Sequence, residues 1–349
     1  MPDPTIICLT PVKNEAWILE RFLQCASTWA DHIVLADQQS TDATPDIASR
    51  FEKVTLLDNP HPGYDEQARQ KLLIEAARQI PLKDPQGPRL LLALDADEIL
   101  TANWMTSPEW DALRSAEPGT VIWFRWMNVA PNVSGGWLDE SWKPFGFVDD
   151  SSPHVGSTIH SPRIPVPDEA PSLRMQEVLV LHYQYANWER MTSKQRWYQC
   201  WERLHHPEKR PVTIFRQYNF MHADVQQARP LREAWLAGYE DRGIDMRSIA
   251  SEAPYHWDRE VVEMLMSHGT NPFEKMAIWE VDWTEVGRRL GHDVNGELAD
   301  PRSAFTKRVH AWLRRTQAHQ HHPLVRLAQK TLQTKIGRAS CRERVYCEV

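Results

Sequence analysis

The feature that most constrains this chain is an alternation of short apolar runs and amphipathic stretches over its first hundred residues. Residues 5–9 form an apolar run fit for a buried parallel strand. Asn14 is placed to cap a helix whose apolar face carries Trp17, Ile18, Leu19, Phe22 and Leu23. Residues 32–36 predict a second strand ending at Asp37, and Ser40, Thr41 and Asp42 open a helix reaching about Phe51. A third strand is expected at 54–57 and a long amphipathic helix at 65–80. After a Pro-rich loop comes the most apolar strand, 90–94, ending at Asp95. Strands alternating with helices predict an α/β fold with a mostly parallel, Rossmann-like sheet flanked by helices. Ligands of such sheets bind beyond the carboxyl ends of the strands, where Thr10, Asp37 and Asp95 fall.

Downstream the pattern weakens. A strand is expected within 119–128, and an irregular stretch rich in Trp, Gly, Pro and Asp runs over 131–171. A strand follows at 178–183, an aromatic-rich helix begins at Trp188, and residues 229–298 read as helical. The expected organisation is a sheet domain over 1–225, a helical extension over 226–301 and a basic amphipathic segment over 302–335. The last fourteen residues, 336–349, resemble the translation of a sequencing adapter and are expected to be a non-native tail.

Charge divides the chain in the same place. Eight Lys or Arg and no Asp or Glu lie between Arg302 and Lys335, and the last fourteen residues add a net +1. A chain of formal net charge −7 therefore has a body of −16 before residue 302. Such a body argues against nucleic-acid binding. Phe305, Val309, Trp312 and Leu313 recur at helical spacing in the basic segment. That pattern serves a helix packed on the acidic body, or peripheral contact with anionic lipid. With 42% hydrophobic and 25% charged residues, disorder is excluded as the dominant state. No apolar run approaches the ~18–20 residues of a membrane span. The run at 6–9, with Asp3 ahead of it, lacks the form of a signal peptide. Cys8, Cys25 and Cys200 show no pairing or metal spacing. A cytoplasmic protein, at most peripheral at the inner membrane face, is the expectation. The 16 Trp residues point first to large cores and second to sugar-binding surfaces.

The chemistry concentrates in the string Asp95-Ala96-Asp97-Glu98. Two carboxylates one residue apart share a side of an extended segment. Hard oxygen ligands of this kind suit Mg²⁺ or Mn²⁺, ions that also bridge phosphate oxygens. A dinucleotide fold and a phosphate-loop NTPase are both excluded, for lack of G-x-G-x-x-G and of G-x-x-x-x-G-K. A nucleotidyltransferase would be expected to carry a Gly-rich loop after the first strand, and Pro11-Val12-Lys13-Asn14 contains no Gly.

The series TPVKNE (10–15), IVLADQQSTDAT (33–44) and LLALDADE (91–98) resembles the signature of family 2 glycosyltransferases, which use nucleotide-sugars on the GT-A fold. The resemblance covers about the first hundred residues and is nearest to bacterial enzymes that build lipopolysaccharide cores or other surface glycans. It implies that Thr10, Pro11 and Glu15 sit by the nucleotide and that Asp37 accepts a hydrogen bond from the base. It places Arg69 near the donor, although Gln70 stands where the family has Asn. Asp95 would approach the ribose and the metal, and Asp97 would be the main metal ligand. The partners implied are a nucleotide-sugar donor and a glycan or lipid-linked acceptor.

Transfer with inversion also needs a carboxylate to deprotonate the acceptor hydroxyl. The family often shows Gly-Gly-aromatic-Asp-Glu followed by Glu-Asp. Gly135, Gly136, Trp137, Asp139 and Glu140 resemble the first part with one extra residue, and Asp149 and Asp150 the second. Asp150 or Asp149 is the expected base, with Glu140 and Asp139 behind them. His182 is a candidate third metal ligand by analogy, against the alternative of a buried His satisfied by backbone. His160 lies where relatives show His-Glu, and Ser161 breaks that pattern. Trp137 and Trp142 flank the acceptor loop and can stack on sugar or pack. The rival function is a non-catalytic nucleotide or glycan binder on the same fold.

Overall fold

The computed structural model describes residues 3–60, 65–153, 162–164, 166–250, 254–294, 296 and 298–332. His160, Ser161 and the tail at 336–349 lie outside them. The chain forms two compact units, 1–187 with 229–250, and 188–228 with 251–349. Neither coincides with the expected boundaries at 225 and 301.

The first unit opens with β1 (Thr5–Val12), α1 (Leu19–Ala26), β2 (His32–Asp37), α2 (Thr44–Ala48), β3 (Val54–Asp58), α3 (Glu66–Gln79) and β4 (Arg89–Ala93). It continues with β5 (Glu98–Leu100), α4 (Pro108–Arg114), β6 (Val121–Phe124), β7 (Trp126–Val129), β8 (Gly136–Leu138), β9 (Lys143–Asp149), β10 (Ser172–Arg174) and β11 (Val180–His182). Seven strands make one sheet in the order β10-β6-β9-β4-β1-β2-β3, and four make another, β5-β11-β7-β8. Strands β3, β2, β1 and β4 are parallel, as the alternation predicts. Strand β10 is also parallel to β6, so four of the six pairings in the large sheet are parallel, as expected, although the sheet is mixed. Strand β9 inserts antiparallel between β4 and β6, and both β5 and β8 pair antiparallel in the smaller sheet.

Both faces of the central strands β1, β2 and β4 are covered, which is why they read as continuous apolar runs. Strand β1 alternates between two layers. Ile6 and Cys8 pack with Leu19, Phe22 and Leu23 of α1, while Ile7 and Leu9 pack with Leu73, Ile74 and Ala77 of α3. The stretch 131–171, expected to be irregular, holds β8 and β9. Its Pro and Gly residues concealed the strand, yet Gly146 is what lets β9 lie against β4. A Cβ there would stand 2.4 Å from the Leu91 carbonyl oxygen and 2.5 Å from Leu92 Cδ2. The strand expected within 119–128 is two strands, one in each sheet.

The second unit is helical, with helices Trp188–His205, Pro211–Tyr218, His256–His268, Trp283–Arg289 and Ala304–Arg315. Cys200, Ile214, Val261, Leu265, Phe273, Ile278 and Trp283 form its core. The buried indoles of Trp279 and Trp283 donate to the Phe273 and Ile278 carbonyls, so here Trp serves packing with its polar atom satisfied. In the basic segment, Val309 and Leu313 are buried against Val212, Phe215 and Ala277. The apolar face proposed for lipid is thus largely consumed within this unit, while Phe305 stays exposed. Among the described residues no helix is long and apolar enough to cross a membrane. Cys8, Cys25 and Cys200 are free and buried.

Two predictions follow from this packing. Gly146→Ala should destabilise the sheet unit by about 1–3 kcal/mol, read as a lower urea midpoint, because the obstacle is backbone and cannot rotate away. An unchanged midpoint would contradict the β4–β9 pairing. In the helical unit, burial pushes the His310 pKa from 6.5 down to about 4, against the Lys275 carbonyl 3.1 Å from Nε2. The unfolded chain takes up this proton first, so stability should fall as pH drops from 6.5 towards 4. His310→Gln should flatten that slope in denaturation curves measured across this range.

Candidate active site

The carboxyl edge of the parallel strands gathers most of the candidate residues. Val12 of β1 lies opposite Asp37 of β2, and Thr10 opposite Leu35. Ala93 of β4 lies opposite Leu9, and the Leu94 amide bonds the Leu9 carbonyl, so the chain leaves β4 for Asp95 alongside the end of β1. The loops after β1 and β2 are laced together. The Asn14 amide donates to Ser40 Oγ, the Thr41 amide to Asn14 Oδ1, the Glu15 amide to Thr44 Oγ1, and the Ala16 amide to Asp42 Oδ2. Asn14 therefore does not cap α1, whose N-cap is Ile18 with no side-chain bond. It ties the second loop down instead, in a left-handed conformation (φ 55°) that Asn tolerates well. Gln39 shares that conformation (φ 54°). Thr10 is fully buried, and Glu15 accepts from Trp17 Nε1 at 2.8 Å.

Asp37 Oδ2 accepts from the Ser40 amide at 3.1 Å. Its other oxygen, Oδ1, is covered and finds no donor among the described residues. Buried acceptors are nearly always satisfied, so this one asks for a partner. Arg69 lies on α3, followed by buried Gln70, whose amide donates to the Pro162 carbonyl at 2.5 Å.

Asp95 and Asp97 are not in an extended segment, as the sequence reading assumed. Residues 96–97 form a turn between β4 and β5 that brings the Glu98 amide onto the Asp95 carbonyl. The two carboxylates meet different partners. Asp95 Oδ2 is 2.5 Å from Arg163 Nη2. Asp97 Oδ2 is 4.0 Å from His182 Nε2, too far for a hydrogen bond. His182 is buried, opposite Glu98 in the register of β5 and β11. It stacks on Trp126 at 4.5 Å, with Nδ1 3.1 Å from Asn128 Oδ1.

Two residues that sequence reasoning passed over organise this cluster. Glu98 is fully buried. Its carboxylate accepts from the Asp95 amide, Trp126 Nε1, Arg163 Nε and Arg163 Nη2, at 2.8, 2.8, 3.0 and 2.7 Å. Burial pushes its pKa up to about 7, against the pull of Arg163 and with a further push from Asp95. Glu98 was visible in the D-A-D-E string. Arg163 had no local signal, because its partners are more than sixty residues away.

The four candidate bases separate. Strand β9 runs antiparallel to β4, so Asp149 lies opposite Arg89 at the start of that strand. Asp95 is six residues further along, about 20 Å of extended chain. The Asp149 side chain is only 3% exposed and is paired with Arg78 at 2.8 Å and Arg89 at 3.7 Å. Asp150 beside it accepts from the Ser152 amide. An antiparallel strand thus carries Asp149 and Asp150, the expected bases, to the end of the sheet away from Asp95. Asp139 and Glu140 follow β8, and the Asp139 amide donates to the Trp126 carbonyl, next to the acidic cluster. Burial would raise the Asp139 pKa, but Lys143 at 2.7 Å and Ser141 hold it below the usual carboxylate range. Glu140 pairs with Arg125 at 3.1 Å. Trp137 tilts against Tyr185, while Trp142 has the guanidinium groups of Arg125 and Arg174 over its ring.

Among the described residues, no group of three or more His, Cys, Asp or Glu is arranged to hold a metal ion. Mg²⁺ sites in nucleotide-using proteins rarely form such cages. They take one or two carboxylates and complete the shell with water and substrate phosphate. Asp97, with Asp95 and His182 beside it, fits a site of that open kind.

No family model matches the chain, and no curated protein matches it. Among solved structures it is similar to glucosyl-3-phosphoglycerate synthase from Mycobacterium tuberculosis, with 17% identity, 36% of this chain, 44% of that chain and a TM-score of 0.24. It is also similar to 4-diphosphocytidyl-2C-methyl-D-erythritol synthase, with 12% identity, 42% and 76% coverage and a TM-score of 0.27. A third is HddC from Yersinia pseudotuberculosis, with 9% identity, 52% and 94% coverage and a TM-score of 0.28. The chain covers less than half of the first of these. At such values the similarities establish neither family nor activity.

The geometry makes Asp149 a structural ion-pair residue. Asp149→Asn should lower unfolding stability by about 3 kcal/mol, since two arginines lose a buried partner, and should leave ligand binding at the wild-type level. A variant of normal stability would contradict the structural role of this ion pair.

Proposed function

We propose that the sheet unit is a GT-A-type glycosyltransferase. It would move a sugar, with inversion, from a nucleoside-diphosphate donor to a hydroxyl of a glycan or lipid-linked acceptor, in cell-surface glycan or lipopolysaccharide synthesis at or near the cytoplasmic face of the membrane. The observation that carries the reading is the convergence of Thr10, Asp37, Asp95 and Asp97 at one carboxyl edge of a parallel sheet, with Asp37 Oδ1 lacking a donor. That edge is where open α/β sheets bind nucleotides.

In this reading Asp37 accepts from the donor's base, while Thr10, Pro11 and Glu15 line the nucleotide and Arg69 faces the donor. Asp97, with Asp95 and His182, would hold Mn²⁺ or Mg²⁺, which supplies Lewis-acid neutralisation of the departing diphosphate. Glu98 keeps the Asp95 turn in place. The acceptor hydroxyl gives its proton to a carboxylate at the same edge. Asp139 is fixed by Lys143 and Ser141, whereas the Glu140 side chain is 79% exposed and is the one able to reach a bound acceptor. A non-catalytic binder is the second reading. It is favoured by the fact that both remaining acids are already paired with cations.

A thermal-shift panel of nucleotide-sugars, with Mn²⁺ and with EDTA, tests the proposal. A donor should raise the melting temperature by several degrees with Mn²⁺, and the rise should vanish with EDTA and in Asp97→Asn. Glu140→Gln should keep that response and lose transfer. No metal-dependent response to any nucleotide-sugar would defeat the proposal, and a response without turnover would favour the binder.

A further inference from the structure

Asp95, Asp97 and Glu98 put three carboxylates within four residues, and a single guanidinium answers two of them. Arg163 bonds Glu98 through both Nε and Nη2, and the same Nη2 reaches Asp95 at 2.5 Å. The two contacts differ in kind. Glu98 is fully buried and also bonded to the Asp95 amide and Trp126, so it is a fixed anchor. The Asp95 side chain is 31% exposed and meets Arg163 through one oxygen. The Arg163 ring contact is with Trp126, and its neighbour Pro162 is tethered to α3 by Gln70. A guanidinium held this way can swing off Asp95 while keeping Glu98.

We propose that Arg163 is an exchangeable internal cation. Paired with Asp95, it competes there with the divalent cation, and on exchange donates to the diphosphate of the incoming ligand. The inference rests on the function proposed above. Its physical basis is short-range electrostatics. A guanidinium and a divalent ion on one carboxylate repel each other strongly at this separation. A diphosphate brings the negative charge that lets both remain, and a planar fork of N–H donors suits phosphate oxygens. Arg163 is accordingly a positioning residue for the metal and a direct contact for the diphosphate.

The competition gives opposite signs for two ligands, which a merely structural role would not. Manganese binding alone, followed by electron paramagnetic resonance, should become several-fold tighter in Arg163→Gln. Binding of inorganic pyrophosphate in saturating Mn²⁺, followed by calorimetry, should weaken about tenfold, as expected for one lost charge-assisted contact. Arg163→Lys keeps the charge and should leave manganese affinity near wild type. Arg163→Gln leaves Glu98 buried without its cation. If that variant does not fold, the Glu98→Gln/Arg163→Gln double variant removes both charges and carries the same two measurements. Weaker or unchanged manganese binding in a folded variant overturns the inference, as does unchanged pyrophosphate binding. If the wild type binds manganese and pyrophosphate and the variants match it, only this inference fails. If neither wild type nor variants bind either probe, the metal-dependent reading fails with it.

Discussion

The buried carboxylate of Glu98 is the interaction on which the rest of the site depends. It sits at the start of β5, one residue after the Asp97 turn, and its four hydrogen bonds reach three separate parts of the chain. A buried carboxylate without partners would be prohibitively costly. Its satisfaction therefore fixes the Asp95 backbone, the Trp126 indole and the Arg163 guanidinium together. Trp126 in turn stacks on His182 and lies under the Lys143 ammonium. One desolvated charge thus aligns the end of β4 with β5, β7 and β11, and so couples the two sheets of the first unit at the edge where the candidate ligands converge.

Strand direction then decides which acidic residues can act together. Parallel strands β1, β2 and β4 deliver Thr10, Asp37 and Asp95 to one edge because each strand ends there. Strand β9 runs the other way, so its first residues lie near that edge and its last, Asp149, lies at the other. Asp149 is not idle. It neutralises Arg78 of α3 and Arg89 of β4 where both would otherwise be half-buried cations. The same residue type lines the carboxyl edge at one end of the sheet and holds a helix on the sheet at the other, and only position separates the two.

Much of the first hundred residues was legible because the information there is local. The apolar runs, the turn residues after them and the carboxylates at their ends are neighbours in sequence, and short right-handed connections leave few alternatives for how they stack. Residues 131–171 were misread for the opposite reason. Strand β9 is interrupted by Pro144 and Gly146, which signal a loop in isolation. Gly146 is needed only because the Leu91 backbone lies against it, a contact fifty-five residues away in sequence. Arg163 and Gln70 were invisible as a pair for the same cause. Gln70, which stands where the resembled family has Asn, donates its amide to the Pro162 carbonyl beside Arg163.

The sequence by itself determined the parallel core of the sheet, the acidic positions at its carboxyl edge and the split between an acidic body and a basic segment. These follow from periodicity, from where charge can sit along a buried strand, and from counting. Tertiary structure alone decided that the sheet is mixed, that Asp149 and Asp150 stand far from Asp95, and that Arg163 closes on the carboxylate cluster. Those outcomes depend on strand order and on pairings between residues far apart in the chain. Hydrophobic pattern does not encode them, because an antiparallel and a parallel strand bury the same residues while sending their ends to opposite sides of the sheet.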